Sequence, residues 1–316
     1  MKILVTGVAG AIGSHVAERL SQLGHEVIGI DSMTDYYDSR IKELNLSDVK
    51  ASGVKVFLND LSIDDISKII PDVEVIYHFA AQPGISAATG FDVYVKNNIV
   101  ATHRLLEAVR GLSSLKAFIH ISTSSVYGAK ARGDETEAPR PTSYYGVTKL
   151  AAEQLAMAYQ RQFNLPVTVL RLFSVYGERE RPEKLYHKLI KSMLDGEAFP
   201  LYEGSEHHVR SYTYIQDVVD ACVLVLENLK KSIGEIFNIG NDTSITTGEG
   251  IRALEEILGM KAKIQTLPKR SGDQSETAAD ITKARKILGY NPKVGIREGL
   301  SRQVAWHKQK LHKKIT

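Results

Sequence analysis

Cysteine is nearly absent from this 316-residue sequence. Cys222 is the only one, so no disulfide can form within the chain. It sits in an apolar run, ACVLVL, which predicts a buried, inert thiol. No apolar run approaches the roughly 20 residues that a membrane-spanning helix needs. An excess of one charge is lacking too. The chain has 40 Lys and Arg against 37 Asp and Glu, a formal net charge of +3, which is too balanced to mark a nucleic-acid surface. The one strong charge run, HKQKLHKK at 307–314, reads as a solvated terminus. No internal repeat and no low-complexity linker stands out. The opening MKILVTG enters a strand pattern without the apolar region and cleavage site of a signal peptide. A soluble, cytoplasmic protein is therefore expected, with neither membrane nor nucleic acid as partner and no metal. The composition, 43% hydrophobic and 24% charged, suits one large or two modest globular domains.

What the chain does have is a rhythm. KILVT (2–6), EVIGI (26–30), VKVFL (54–58), VEVIYHF (73–79), LKAFIHI (115–121) and PVTVLRLF (166–173) are short β-branched runs that read as strands. Helical patterns occupy 12–23, 91–110 and 144–163. This alternation predicts an α/β fold with a parallel sheet and helices on both faces. The strands are almost continuously apolar, as suits strands covered on both sides. After residue 174 the rhythm changes. Residues 177–182 read as a charged loop, 184–195 as a helix, 212–229 as a strand edge leading into a helix, and EIFNIG (235–240) as another strand.

Directly after the first strand comes TGVAGAIGSH, in which Gly7, Gly10 and Gly13 open a helix. Glycines there permit a tight turn and close backbone approach, and the helix N-terminus offers N–H groups to a pyrophosphate. Asp31 ends the second strand, 18 residues beyond Gly13. Its carboxylate suits the ribose hydroxyls of NAD and repels the 2′-phosphate of NADP, and Ser32 and Met33 bring no cation to reverse that. Asp60-Leu61 and Ala80-Ala81-Gln82 end the next two strands, on the edge where such sheets bind ligands. Asp60 suits the adenine end and also reads as a helix N-cap. The expected fold is a Rossmann-type doubly wound sheet over 1–174, with 212–240 returning to it. A smaller substrate-binding lobe is expected from 175–211 and 241–316.

PTSYYGVTKL (141–150) holds Tyr145 and Lys149, whose spacing puts both on one helix face. An ammonium beside a phenol favours the phenolate, so Tyr145 is a candidate base. Tyr144 has no lysine four residues on and reads as structural. With these residues the chain resembles the extended short-chain dehydrogenase/reductase family of nucleotide-sugar epimerases and dehydratases. The resemblance runs over nearly the full length. It rests on TGVAGAIGSH, Asp31, HFAA, ISTSSVYG, Tyr145-x-x-x-Lys149, LRLFSVYG, RSYTYIQDVV, RSGD (270–273) and ADITKARKILGYNP. It implies NAD held by Gly7, Gly10, Ala11, Ile12, Gly13, Asp31, Asp60, Leu61, Ala80, Ala81, Tyr145 and Lys149. It implies Thr123 as partner of the reacting hydroxyl, Tyr145 as proton acceptor, and Lys149 as holder of the nicotinamide ribose. Asn98 matches a structural or cofactor-proximal position. Arg210 and Arg270 match grips on the nucleotide diphosphate, and Asp273 a contact to its ribose. Dimerisation through 91–110 and 144–163 is common in the family, so a homodimer is expected.

The same resemblance bears on the reaction. The family's 4,6-dehydratases place Asp and Glu after the Thr, and its decarboxylases a Glu two positions on. Here those places hold Ser124 and Ser125, which lack a carboxylate's basicity. A 4-keto sugar that is reduced again, on its other face, is what remains: C4 epimerisation of a UDP-sugar. DSMTDYYDSRIKELNL (31–46), AAQPG (80–84) and VYGERERPEK (175–184) resemble UDP-glucuronate 4-epimerases, with Pro83 at the sugar and Arg181 matching an arginine near it. Thr123, Ser124, Ser125 and Ser174 supply neutral donors for a carboxylate. There are departures. Ser86 stands where many such enzymes have Arg, Ala11 where an aromatic is usual, Glu178 and Glu180 where Pro and uncharged residues are usual, and PEK where PDM is common. Epimerases of UDP-glucose or UDP-N-acetylglucosamine are the alternative, then a decarboxylase or dehydratase, then a nucleotide-binding regulator without turnover.

Overall fold

The structure, a computed structural model, describes residues 1–86, 88–269 and 275–312. Its central sheet has strands β1 (Lys2–Thr6), β2 (Glu26–Asp31), β3 (Lys55–Leu58), β4 (Val75–His78), β5 (Ala117–Thr123), β6 (Val167–Leu172) and β7 (Ile236–Ile239). Their spatial order is β7-β6-β5-β4-β1-β2-β3, and every pairing is parallel. The chain runs outward from β1 to β3, then crosses back to place β4 on the other side of β1. The crevice above that reversal, at the carboxyl ends of β1 and β4, is where open sheets of this kind take ligands.

The sheet is buried on both faces, as its sequence predicts. Ile3 and Val5 of β1 join one hydrophobic core and Leu4 the other, because successive side chains point to opposite faces. Helices α1 (Ala11–Gln22), α2 (Ser39–Ala51), α3 (Ala101–Val109) and α4 (Tyr144–Phe163) accompany the first five strands. The segment expected as one helix over 91–110 is instead Phe91–Tyr94, a π turn at Val95–Val100, and α3. Helix α2 was not evident in the sequence. Asp38 caps it, accepting from Arg40 N at 3.0 Å, and it buries Ile41, Leu46 and Val49.

Helices α5 (Leu185–Asp195), α6 (Ile215–Glu227), α7 (Thr247–Leu258) and α8 (Ile296–Trp306) complete the larger elements. A third core, containing Tyr176, Tyr186, Leu189, Phe199, Leu254 and Leu300, marks a smaller lobe. Packing departs from the expected lobe at one point. Ala279, Ile281, Ala284, Leu288 and Tyr290 belong to a core of the main sheet, since the helix Thr282–Leu288 covers β7 at the sheet edge. The two parts are stapled by Arg179, which ion-pairs with Glu18 of α1 at 2.7 Å and Asp48 of α2 at 3.1 Å. No helix among the described residues is long and apolar enough to cross a membrane.

Candidate active site

The turn from β1 into α1 works only with glycine. Gly7 has φ +70°, and a Cβ on it would lie 2.8 Å from Ala80 N, at the end of β4. A Cβ on Gly13 would lie 2.3 Å from Gly7 O. Gly10 caps α1 without a side-chain hydrogen bond, so the first-turn N–H groups are left for an anion. Gly7, Gly10, Ala11, Ile12 and Gly13 all line a cleft of about 820 Å³ along the carboxyl edge of the sheet.

Asp31 stands at the end of β2 in the same cleft. Its Oδ2 accepts from Ala9 N at 3.0 Å and its Oδ1 from Met33 N at 2.8 Å. A cation that the sequence reading missed, Lys42 of α2, also lines the cleft. Its Nζ is engaged by Thr34 O at 2.6 Å and Thr34 Oγ1 at 3.0 Å. Leu61, Ala80, Ala81 and Pro83 line the cleft with Asp60. Asp60 caps a turn, accepting from Ser62 N at 2.8 Å, and pairs with Lys96 at 3.0 Å. Asn98 is structural: Oδ1 accepts from Gln82 N at 2.7 Å, and Nδ2 donates to Thr148 Oγ1 at 3.0 Å.

Thr123 ends β5, and Tyr145 and Lys149 rise from the first turns of α4, whose start Ser143 caps by accepting from Gly146 N at 3.1 Å. All three line the cleft with Ser124, Ser125 and Ser174. Thr123 Oγ1 accepts from Ser125 N at 3.1 Å, which leaves its hydroxyl hydrogen to donate. Burial pushes the Tyr145 phenol up, and the Arg181 guanidinium and a hydrogen bond to Thr123 oppose that. The largest opposing charge is thus Arg181, where the sequence pointed to Lys149. Burial lowers Lys149 to about 8, against the attraction of Glu153. Glu153, one turn beyond Lys149, is a residue that sequence reasoning missed. It accepts from Ser122 Oγ at 2.7 Å and from Arg171 at 2.6 and 3.0 Å, all buried. Its spacing from Lys149 was the available signal. Tyr144 lies outside the cleft, 58% exposed, with its ring 5.1 Å from that of Phe91.

The loop after residue 177 closes the sugar end of the site. Glu178, Glu180, Arg181, Glu183 and Lys184 all line the cleft, as does Arg210. The two unexpected acids are held by the lobe. Glu178 accepts from Tyr214 OH at 2.7 and 2.8 Å. Glu180 Oε2 accepts from His187 N at 2.9 Å and Gln303 Nε2 at 2.8 Å, and burial raises its carboxyl to about 7. Arg270 and Asp273 lie outside the described residues.

A model of the NAD dependent epimerase/dehydratase family matches residues 3–240. The chain is 40% identical to UDP-glucuronic acid 4-epimerase from Bacillus cereus, whose crystal structure in complex with UDP-glucuronic acid and NAD superposes with a TM-score of 0.94. The match covers 98% of this chain and 99% of that one. It is 39% identical over 311 residues to a Bacillus subtilis (strain 168) protein named "Uncharacterized UDP-glucose epimerase YtcB", covering 97% of this chain and 98% of the relative. It is 34% identical over 330 residues to UDP-glucuronate 4-epimerase 2 of Arabidopsis thaliana, covering 97% of this chain and 76% of the relative. With its glycine turn, Asp31 and Tyr145–Lys149 pair in one cleft, this chain belongs to the NAD dependent epimerase/dehydratase family.

Proposed function

We propose that the protein is an NAD-dependent UDP-sugar 4-epimerase that interconverts UDP-glucuronate and UDP-galacturonate. The observation that carries this is the convergence of Thr123, Tyr145 and Lys149 with the glycine turn in a single cleft. It occurs in a chain similar throughout to an enzyme crystallised with UDP-glucuronic acid and NAD. The residues present fit NAD. Neither Gly7 nor Gly13 has room for a Cβ, and the N-terminus of α1 carries no side-chain cap. Gly7, Gly10, Ala11, Ile12 and Gly13 would hold the pyrophosphate, Asp31 the adenosine ribose, and Tyr145 and Lys149 the nicotinamide ribose. Asp60, Leu61, Ala80 and Ala81 would line the rest of its path.

When bound, NAD supplies a hydride acceptor and a positive ring that favours a nearby phenolate. Tyr145 takes the proton of the sugar C4 hydroxyl and later returns it, while Thr123 donates a hydrogen bond to the C4 oxygen. The 4-keto sugar then offers its other face, and reduction there yields the C4 epimer. Ser124, Ser125 and Ser174 put hydroxyls, not carboxylates, around the sugar. The C5 proton therefore meets no base from these positions, which disfavours elimination. Arg181, Arg210, Arg270, Asp273 and Pro83 complete the substrate side of this proposal. The sheet half would hold NAD, and 175–211 with the rest of the smaller lobe would hold the UDP-sugar.

A UDP-hexose reading has one observation in its favour, the Glu183 carboxylate at the sugar end of the cleft. Incubation with UDP-glucuronate or UDP-glucose, followed by NMR of the products, tests both. Conversion of UDP-glucuronate to UDP-galacturonate without release of CO₂ is expected. Turnover of UDP-glucose alone would overturn the uronate assignment. A cytoplasmic homodimer completes the proposal. Phe91, Tyr144, Val147 and Phe163, all exposed, sit on the two helical segments expected at its interface, and sedimentation of the holoenzyme checks it.

A further inference from the structure

The loop that follows Gly177 brings one guanidinium and one carboxylate together at the reacting end of the cleft. Arg181 Nη1 lies 3.1 Å from Glu183 Oε1, an ion pair without the alignment of a hydrogen bond. Both side chains line the cleft. Both Glu183 carboxylate oxygens are shut off from solvent, and among the described residues neither accepts a hydrogen bond. This sets Glu183 apart from Glu178 and Glu180, whose oxygens are occupied by Tyr214, His187 and Gln303. Glu183 therefore keeps its lone pairs for a ligand.

Arg181 is near the chemistry. It is the largest charge acting on the Tyr145 phenol. A Cβ on Gly84 would lie 3.6 and 3.7 Å from its two terminal nitrogens and 3.3 Å from Tyr36 OH. The pair thus sits where Tyr145, Tyr36 and Gly84 converge. A sugar carboxylate arriving there has two options. It can take Arg181 from Glu183 and leave a carboxylate unpaired in a poorly solvated site, or it can stand beside Glu183 and be repelled. An uncharged hexose meets neither cost. Its hydroxyl can donate to Glu183 and accept from Arg181 while the pair stays intact.

We infer that Glu183 is a specificity-determining residue that holds Arg181 in a neutral pair and so turns the site away from uronates and toward uncharged hexoses. Specificity of this kind comes from a repulsive element as much as from an attractive one. The inference rests on the UDP-sugar reading above and refines which sugar the site prefers.

The test is the ratio of dissociation constants for UDP-glucuronate and UDP-glucose, measured by calorimetry on the NAD-loaded protein. Glu183→Gln should shift that ratio toward UDP-glucuronate by about tenfold or more. Glu183→Asp, which keeps the charge, should stay within about threefold of the wild-type ratio. Glu183→Ser repeats the neutral substitution with a smaller side chain and should shift the ratio the same way. A ratio unmoved by both neutral variants overturns the inference, and so does an equal shift in the aspartate variant. Turnover is assayed on the same preparations. If the binding ratio shifts and neither sugar is epimerised by the wild type, the functional reading fails while the role of Glu183 stands.

Discussion

Tyr145 is only as good a base as its surroundings allow. Burial holds its proton on, Arg181 and Thr123 loosen it, and the positive ring of bound NAD would loosen it further. Replacing the hydroxyl leaves those surroundings intact. Tyr145→Phe should lower kcat by about 10²–10⁴-fold while NAD still binds, as equilibrium dialysis can check. Lys149 adds a pH limit. Its folded value of about 8 lies below the ordinary lysine range, so the ammonium is present below pH 8 and is lost above it. The profile of kcat/KM should therefore fall on its alkaline side near pH 8. Glu153 holds that value up, so Glu153→Gln should move the alkaline limb to lower pH. An unmoved limb would show that another group sets it. At this scale much of the site was legible, because Thr123, Tyr145 and Asp31 each sit in a patterned stretch. The pairing of Arg181 with Glu183 was not, since it depends on the path of an irregular loop.

The first turn of α1 carries the cofactor argument at the scale of an element. Alanine is a better helix residue than glycine, so propensity alone would have Gly13→Ala stabilise α1 by up to about 1 kcal/mol. The geometry overrules that. The added Cβ would fall 2.3 Å from Gly7 O, backbone that cannot turn aside, so the phosphate-binding turn must open. Gly13→Ala should weaken NAD binding about tenfold or more, with a lower melting temperature, by dialysis and calorimetry. Gain in melting temperature with unchanged affinity would contradict this account. The sheet strands were readable because both their faces are buried and their runs are apolar. α7 was passed over as one of several short elements, although its capping box, Thr246 with Glu249, is written in the sequence. The π turn at Val95–Val100 had no such signal. A widened turn inside a helix is set by packing against neighbours rather than by periodicity.

For the whole molecule, the question is what keeps the smaller lobe seated on the sheet as the pH changes. Arg179 does so at φ +62°, nearly buried, through ion pairs to α1 and α2. Glu180, its neighbour, joins the same loop to α5 through His187 N and to α8 through Gln303. Burial raises its folded value from 4.5 to about 7. A carboxyl whose folded value is raised holds its proton more tightly in the native state. Its stabilising contribution is therefore complete below about pH 4.5 and is lost as the pH rises through 7. Glu180→Gln keeps an oxygen to accept both hydrogen bonds and removes the charge that burial disfavours. The variant should match the wild type near pH 4.5 and exceed it at pH 8 by about 1–3 kcal/mol, an order-of-magnitude figure from the size of the shift. Thermal unfolding at the two pH values, without NAD, reads this directly. If the gap between the proteins does not widen between pH 4.5 and 8, the lobe is not stabilised by a protonated Glu180. The attraction to Lys184, which favours the charged form, would then outweigh the burial.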